Sequence, residues 1–251
     1  MHNLWNAILY KPFVNVLAFL ISAIPGGDVG IAIIILTLLV KTALIPLSQR
    51  SIESQAKMKL LEPEMKKIKN GGATKEEQAR QTMELYKKHK TNPFSGCLLV
   101  LIQIPIIFAL YYVFYKGIKF DNGVLYSFAH VPEKMNMIFL GLVDISKKSL
   151  ILALLAGVSQ FLQAHYMPKS APLKSTDKAS FQESFAQSMQ MQMKYFLPIL
   201  IVFIAYNISG AVALYWITSN MFTVVQQIYA NKKKISIVVH GHKLETLGEK
   251  E

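Results

Sequence analysis

The chain has a single cysteine, Cys97, so no intramolecular disulfide can hold it together, and cysteine usage says nothing of its redox compartment. Acidic residues are scarce, 15 Asp and Glu against 27 Lys and Arg, and the formal net charge is +12. No Asp or Glu falls inside the long apolar runs, which weakens any reading as a proton-coupled pump, because such pumps relay protons through carboxylates within the membrane. There is no P-loop and no Gly-rich dinucleotide motif. The six histidines, His2, His89, His130, His165, His240 and His242, are scattered, and His240-x-His242 lacks further ligands for a metal. The residues therefore predict no enzyme, no cofactor and no metal site. Repeats and low-complexity tracts are missing too. No cleavable signal peptide is expected, since the first apolar stretch has no basic lead and contains Lys11-Pro12.

What the chain does have is apolar sequence, 52% of its residues, gathered in long runs. Five of them, residues 29–49, 97–115, 150–166, 193–208 and 211–229, are separated by charged segments and read as spanning helices. The third and fourth fall short of the ~20 residues a span usually needs, which predicts local bilayer thinning or helices wrapped by neighbours. The expected fold is all-α: a polytopic membrane protein with five transmembrane helices. Residues 3–24 are apolar but interrupted by Asn6, Lys11-Pro12 and Asn15. They either cross the membrane or lie along its outer face, and the interruptions together with Trp5 and Tyr10 favour an N-terminal interfacial helix.

The first run carries the most informative residue. Lys41 lies twelve residues in from Val29, about 18 Å deep at helical rise. A cation at such depth costs on the order of 2.5 to 3.5 kcal/mol on insertion scales, so it should face a wet cavity or a partner rather than lipid. The blander reading is a snorkelling lysine that marks the cytoplasmic end. Thr37, Lys41 and Ser48 share one helical face, and Pro46 removes the amide that would bond the Thr42 carbonyl.

The basic residues also orient the chain. Segments 50–90, 168–194 and 231–251 hold eleven, four and five lysines and arginines, whereas 1–28 and 116–148 hold one and five. The positive-inside rule places the first three in the cytoplasm, with the N-terminus outside and the C-terminus inside. Residues 51–91 form the main soluble element, a cytoplasmic helical hairpin. Met58, Leu61, Met65 and Ile68 recur at helical spacing in its first arm, Pro63 is expected to kink that arm, Gly71-Gly72 breaks the chain, and Thr74-x-x-Glu77 is a capping box for the second arm. The hairpin is basic enough to meet either anionic lipid heads or a ribosome. Lys232-Lys233-Lys234 opens a basic tail, 231–251, and is most simply a topology anchor. Residues 117–149 form an outer loop in which no motif is legible.

With that topology, Lys41, Gln103, Ser159, Gln160, Gln163, Ser219, Asn220 and Thr223 all fall toward the cytoplasmic side of their spans, and the outer halves are almost wholly apolar. The asymmetry predicts a hydrophilic pocket open to the cytoplasm and closed outward. For any single residue, plain helix-to-helix adhesion is an equally good account. A small-solute or ion transporter or channel is the alternative function, and it would need polar access from both sides.

Three blocks carry a family resemblance: LLVKTALIPLSQRSIESQAKMKLLEPEM, LYKKHKTNPFSGCLLVLIQIPIIFALYYVF and YFLPILIVFIAYNISGAVALYWITSNMFTVVQQ. Together they resemble the YidC-type membrane protein insertases, in the short bacterial form related to the mitochondrial and chloroplast insertases. The resemblance implies a bacterial plasma-membrane protein that guides hydrophilic tails and apolar segments of nascent membrane proteins into the bilayer through a cationic groove. Nascent membrane proteins, the ribosome and anionic lipids are the implied partners, with a Sec translocon as a further candidate and no specific nucleic acid target. On this reading Lys41 is the electrostatic centre, and Thr37, Gln103, Gln160, Trp216 and Asn220 line or bound the groove. The family pattern usually has arginine at position 41, so lysine keeps the charge and loses the bidentate fork.

Overall fold

The computed structural model of the chain describes residues 7, 10–89, 91, 103–109, 111–113, 125–127, 129–167 and 191–248. These residues are mostly helical, with one small β-ribbon. Residues 168–190 and part of the run expected to span over 97–115, including Cys97, lie outside the described residues.

Helix α1 (Lys11–Ala23) has Pro12 in its first turn, where a missing amide costs nothing. Its thirteen residues reach about 20 Å, short of the ~30 Å of a bilayer core. It buries Phe13, Val14, Leu17, Ala18 and Ile21 and turns Phe19 outward. A tight turn at Pro25–Gly27 follows, with Gly26 and Gly27 at φ 80° and 65°, and leads to Asp28, whose carboxylate accepts from the Ile31 amide at 3.0 Å. That cap starts α2 (Val29–Ala43), which packs against α1.

The run read as a span over 29–49 is bent beside Pro46, where an amide is missing. Helix α2 stops at Leu44, and α3 (Ile45–Leu60) leaves at an angle of 59°. Pro46 stands in the first turn of α3, where it cannot donate to the preceding turn. Helix α3 then runs unbroken through Ser51, so the spanning run and the first arm of the hairpin are joined without a boundary at residue 51. Pro63 interrupts that arm, as its position predicts. It sits in the first turn of a separate helix, α4 (Glu62–Asn70), which pairs with α5 (Lys75–Lys88). Thr74 caps α5 as its sequence signature predicts, with Oγ1 accepting from the Glu77 amide at 3.3 Å. Leu61, Leu85 and Tyr86 form the small core of this hairpin, with Met65 and Ile68 against it.

The segment read as a motif-free loop contains the β-ribbon, an antiparallel pair β1 (Ile138–Phe139) and β2 (Val143–Asp144). Two-residue strands are too short for alternation to show in sequence, and this ribbon, with an isolated bridge between Asp28 and Asn136, departs from the all-α expectation. The ribbon is fastened at both sides. The Val29 amide donates to the Asn136 carbonyl at 3.0 Å, the Asn136 amide donates to Gly27 at 2.9 Å, and Asp28 accepts from the Leu140 amide at 2.9 Å. On the other side the Gly210 and Ala211 amides donate to the carbonyls of Lys147 and Ile145, each at 2.9 Å. Phe139 lies directly over Gly30, and a Cβ there would collide with its ring.

Helix α6 (Leu150–Tyr166) packs against α7 (Leu197–Asn207) and against the long α8 (Gly210–Gly248), which also packs on α2. A π-turn, Gln192–Phe196, leads into α7. Backbone helix continues to Gly248, past the expected end of the fifth span at 229 and through the segment expected to be a separate tail. No proline interrupts it. Leu150, Ile151, Leu154, Leu155, Val158, Ile199, Phe203 and Val225 are all exposed, large apolar side chains on α6, α7 and α8. Among the described residues no single helix is long and apolar enough to cross a membrane, though the bent pair α2 and α3 together passes that test.

Candidate functional site

Helix α8 places Tyr215, Ser219 and Thr223 at i, i+4 and i+8, and Trp216 and Asn220 on the adjoining stripe. Because α8 lies between α2 and α6, these two stripes meet different neighbours.

On the α2 side, Lys41 is half-buried. Its Nζ donates to Gln103 Oε1 at 3.2 Å and to Thr223 Oγ1 at 3.4 Å. Thr223 gives its own hydroxyl proton to the Ser219 carbonyl at 3.0 Å, leaving oxygen lone pairs for the lysine. The carboxamide nitrogen of Gln103 in turn donates to Tyr215 Oη and, at 3.5 Å, to Ser219 Oγ. Both acceptors on Lys41 are neutral, and among the described residues it has no carboxylate partner. An ammonium has three donors, so two held by the protein leave one for a guest. On the α6 side, Asn220 Nδ2 donates to Ser159 Oγ at 3.0 Å and to Gln160 Oε1 at 3.2 Å, and all three side chains are buried.

Of the six residues singled out from sequence, the structure brings Lys41 and Gln103 together in one cluster and Gln160 and Asn220 in another. Thr37 is buried, and its hydroxyl bonds the Ile33 carbonyl of its own helix at 2.6 Å. Trp216 is 8% exposed and belongs to the apolar core. The Gln160 and Asn220 pair satisfies itself between two helices, which is the geometry of adhesion. Tyr215 was not among the sequence candidates. In the sequence, only the i, i+4 step to Ser219 hints at its polar contact. A third link, Gln226 Nε2 to Ser48 Oγ at 2.5 Å, ties α8 to α3 beyond the bend. Gln163 Oε1 and Gln227 Oε1 are buried acceptors without a hydrogen-bond partner among the described residues.

The arrangement can hold a lone, desolvated cation beside neutral hydrogen-bonding groups within a lipid-facing helical body. It has no nucleophile poised on a base, and no cluster of metal ligands occurs among the described residues. Comparison with known proteins meets this geometry. The family model described as 60Kd inner membrane protein matches residues 20–236. A protein of Fusobacterium nucleatum subsp. nucleatum named membrane protein insertase YidC is 34% identical over 228 residues, covering 90% of this chain and 98% of the relative. Membrane protein insertase YidC 1 of Lactococcus lactis subsp. lactis is 33% identical, covering 93% of this chain and 78% of its own length. A longer relative from Jannaschia sp., also named membrane protein insertase YidC, is 36% identical across 89% of this chain and 35% of its own. The chain belongs to the YidC family of inner-membrane insertases.

Proposed function

We propose that this protein inserts nascent membrane proteins into the bilayer by sheltering their hydrophilic tails beside Lys41. The observation that carries the mechanism is the ammonium itself, half-buried, held by two neutral acceptors and lacking a carboxylate partner among the described residues. A polar or acidic tail entering hydrocarbon loses its hydration, and that loss is the barrier to insertion. Lys41, Gln103 and Thr223 offer a charge and hydrogen-bonding groups at that depth, so the tail exchanges water for protein contacts while the apolar segment moves into lipid. No bond is made or broken, and the protein acts as a non-catalytic guide.

The five-span topology with N-terminus outside and C-terminus cytoplasmic belongs to this proposal, supported by the concentration of eleven basic residues over 50–90. So does a groove open to the cytoplasm, and so does recruitment of the ribosome and anionic lipids through the 51–91 hairpin. The decisive experiment uses the reconstituted protein and single-span substrates bearing acidic or neutral tails. Lys41→Glu is expected to abolish insertion of the acidic-tail substrate, and insertion equal to wild type would refute the role of the charge.

A further inference from the structure

The side-chain amide of Gln103 is nearly symmetric in outline and opposite in chemistry at its two ends: Oε1 accepts hydrogen bonds and Nε2 donates them. It meets Lys41 with the accepting end. Turned over, it would set an N–H against an ammonium N–H, two donors with no acceptor between them. Lys41 cannot by itself prevent that turn, because its four-carbon stem lets the charge move away.

What holds the amide lies on its other side. Nε2 donates to Tyr215 Oη, with Ser219 Oγ a second acceptor at 3.5 Å, the outer limit of a hydrogen bond. Tyr215 is 2% exposed and sits in the apolar core of α1, α2, α6, α7 and α8. Packing there accounts for an aromatic ring but not for a hydroxyl, since phenylalanine fills nearly the same shape and leaves no polar atom to satisfy. The hydroxyl meets Ser219 one turn along its own helix and, across the helix interface, the Gln103 amide.

We infer that Tyr215 is a positioning residue for insertion: it orients the Gln103 amide so that Oε1 steadies the Lys41 ammonium with one N–H free for an acidic tail. The inference rests on the insertase reading above. Tyr215 itself touches neither lipid nor substrate and acts through Gln103.

The test reconstitutes the full chain in liposomes and compares insertion of two single-span substrates that differ only in an acidic or a neutral tail. Tyr215→Phe is expected to lower the ratio of acidic-tail to neutral-tail insertion about fivefold, the size of one hydrogen bond, while neutral-tail insertion is unchanged. A merely structural role would lower both substrates together, and that result, or no change in either, would overturn the inference. A double-mutant cycle guards against misfolding. In a Gln103→Leu background, Tyr215→Phe should have no further effect on the ratio, and an additive loss would count against the relay. A Lys41→Gln arm separates the two levels. If Lys41→Gln leaves the ratio intact, the insertase mechanism fails and the inference with it; if Lys41→Gln lowers the ratio and Tyr215→Phe does not, the inference alone fails.

Discussion

Gln226 on α8 and Ser48 on α3 meet across the bend at Leu44, the carboxamide nitrogen donating to the hydroxyl oxygen at 2.5 Å. Ser48 is buried, and it passes its own proton to the Ile45 carbonyl at 3.0 Å in the first turn after the break. The bend is thus fixed by a tertiary contact as well as by the proline that permits it.

Breaking that contact should free the chain beyond the bend. Gln226→Leu is expected to speed hydrogen exchange over residues 45–60 several-fold, a loss of about 1 kcal/mol of local protection, and to leave 29–43 unchanged. Equal protection in both proteins would mean that Pro46 alone sets the angle.

Asn220 should behave differently from Lys41. Its bonds to Ser159 and Gln160 join two buried helix faces, so Asn220→Ala is expected to cost about 1 kcal/mol of stability. The measurement is thermal unfolding in detergent alongside insertion below the unfolding range. A variant as stable as wild type that has lost discrimination between acidic and neutral tails would move Asn220 into the groove.

Gly30 tests how the ribbon is seated. Gly30→Ala places a methyl group against the Phe139 ring and should destabilise the protein by about 1 to 3 kcal/mol, as overpacking does. Adding Phe139→Ala should recover part of that loss. If the two substitutions instead add in full, the ring is not what the methyl meets.

Lysine at position 41 leaves room for a gain. Lys41→Arg supplies a planar fork that can bind a carboxylate through two parallel N–H groups. Crosslinking from position 103 to an acidic-tail substrate should rise severalfold over the present protein, and a fall would indicate that guanidinium is too large for the space between Gln103 and Thr223.

Several of these features were legible in the residues and several were not, for physical reasons. The Thr74 capping box and the turn at Pro25-Gly26-Gly27-Asp28 are local, and local chemistry decides them. The depth of Lys41 and Gln103 follows from counting residues at helical rise, and the two do meet. Azimuth does not follow from counting. Gln160 and Asn220 were read at the depth of Lys41 yet meet each other where α6 packs on α8, away from α2, so equal depth concealed two separate clusters. The Pro46 signal was visible, but the contact of Ser48 with Gln226, 178 residues away in sequence, was not. The ribbon escaped notice because its partners, Gly27, Val29, Gly210 and Ala211, contribute backbone amides and carbonyls that every sequence has.

That same ribbon makes α2 and α8 behave like the two arms of a pair of tweezers. Residues 136–147 join their starting ends by backbone bonds, Val29 to Asn136 on one arm and Gly210 and Ala211 to Lys147 and Ile145 on the other. A pivot about that end would part the arms without breaking those bonds. Lys41 lies about 18 Å along its arm, so each degree of pivot moves it about 0.3 Å from α8. A pivot of about 5° would widen the space beside the ammonium by about 1.5 Å and leave the clasped end shut. The contact of Gln226 with Ser48, just past the far end of α2, ties α8 down a second time, so Lys41 sits between two fastenings.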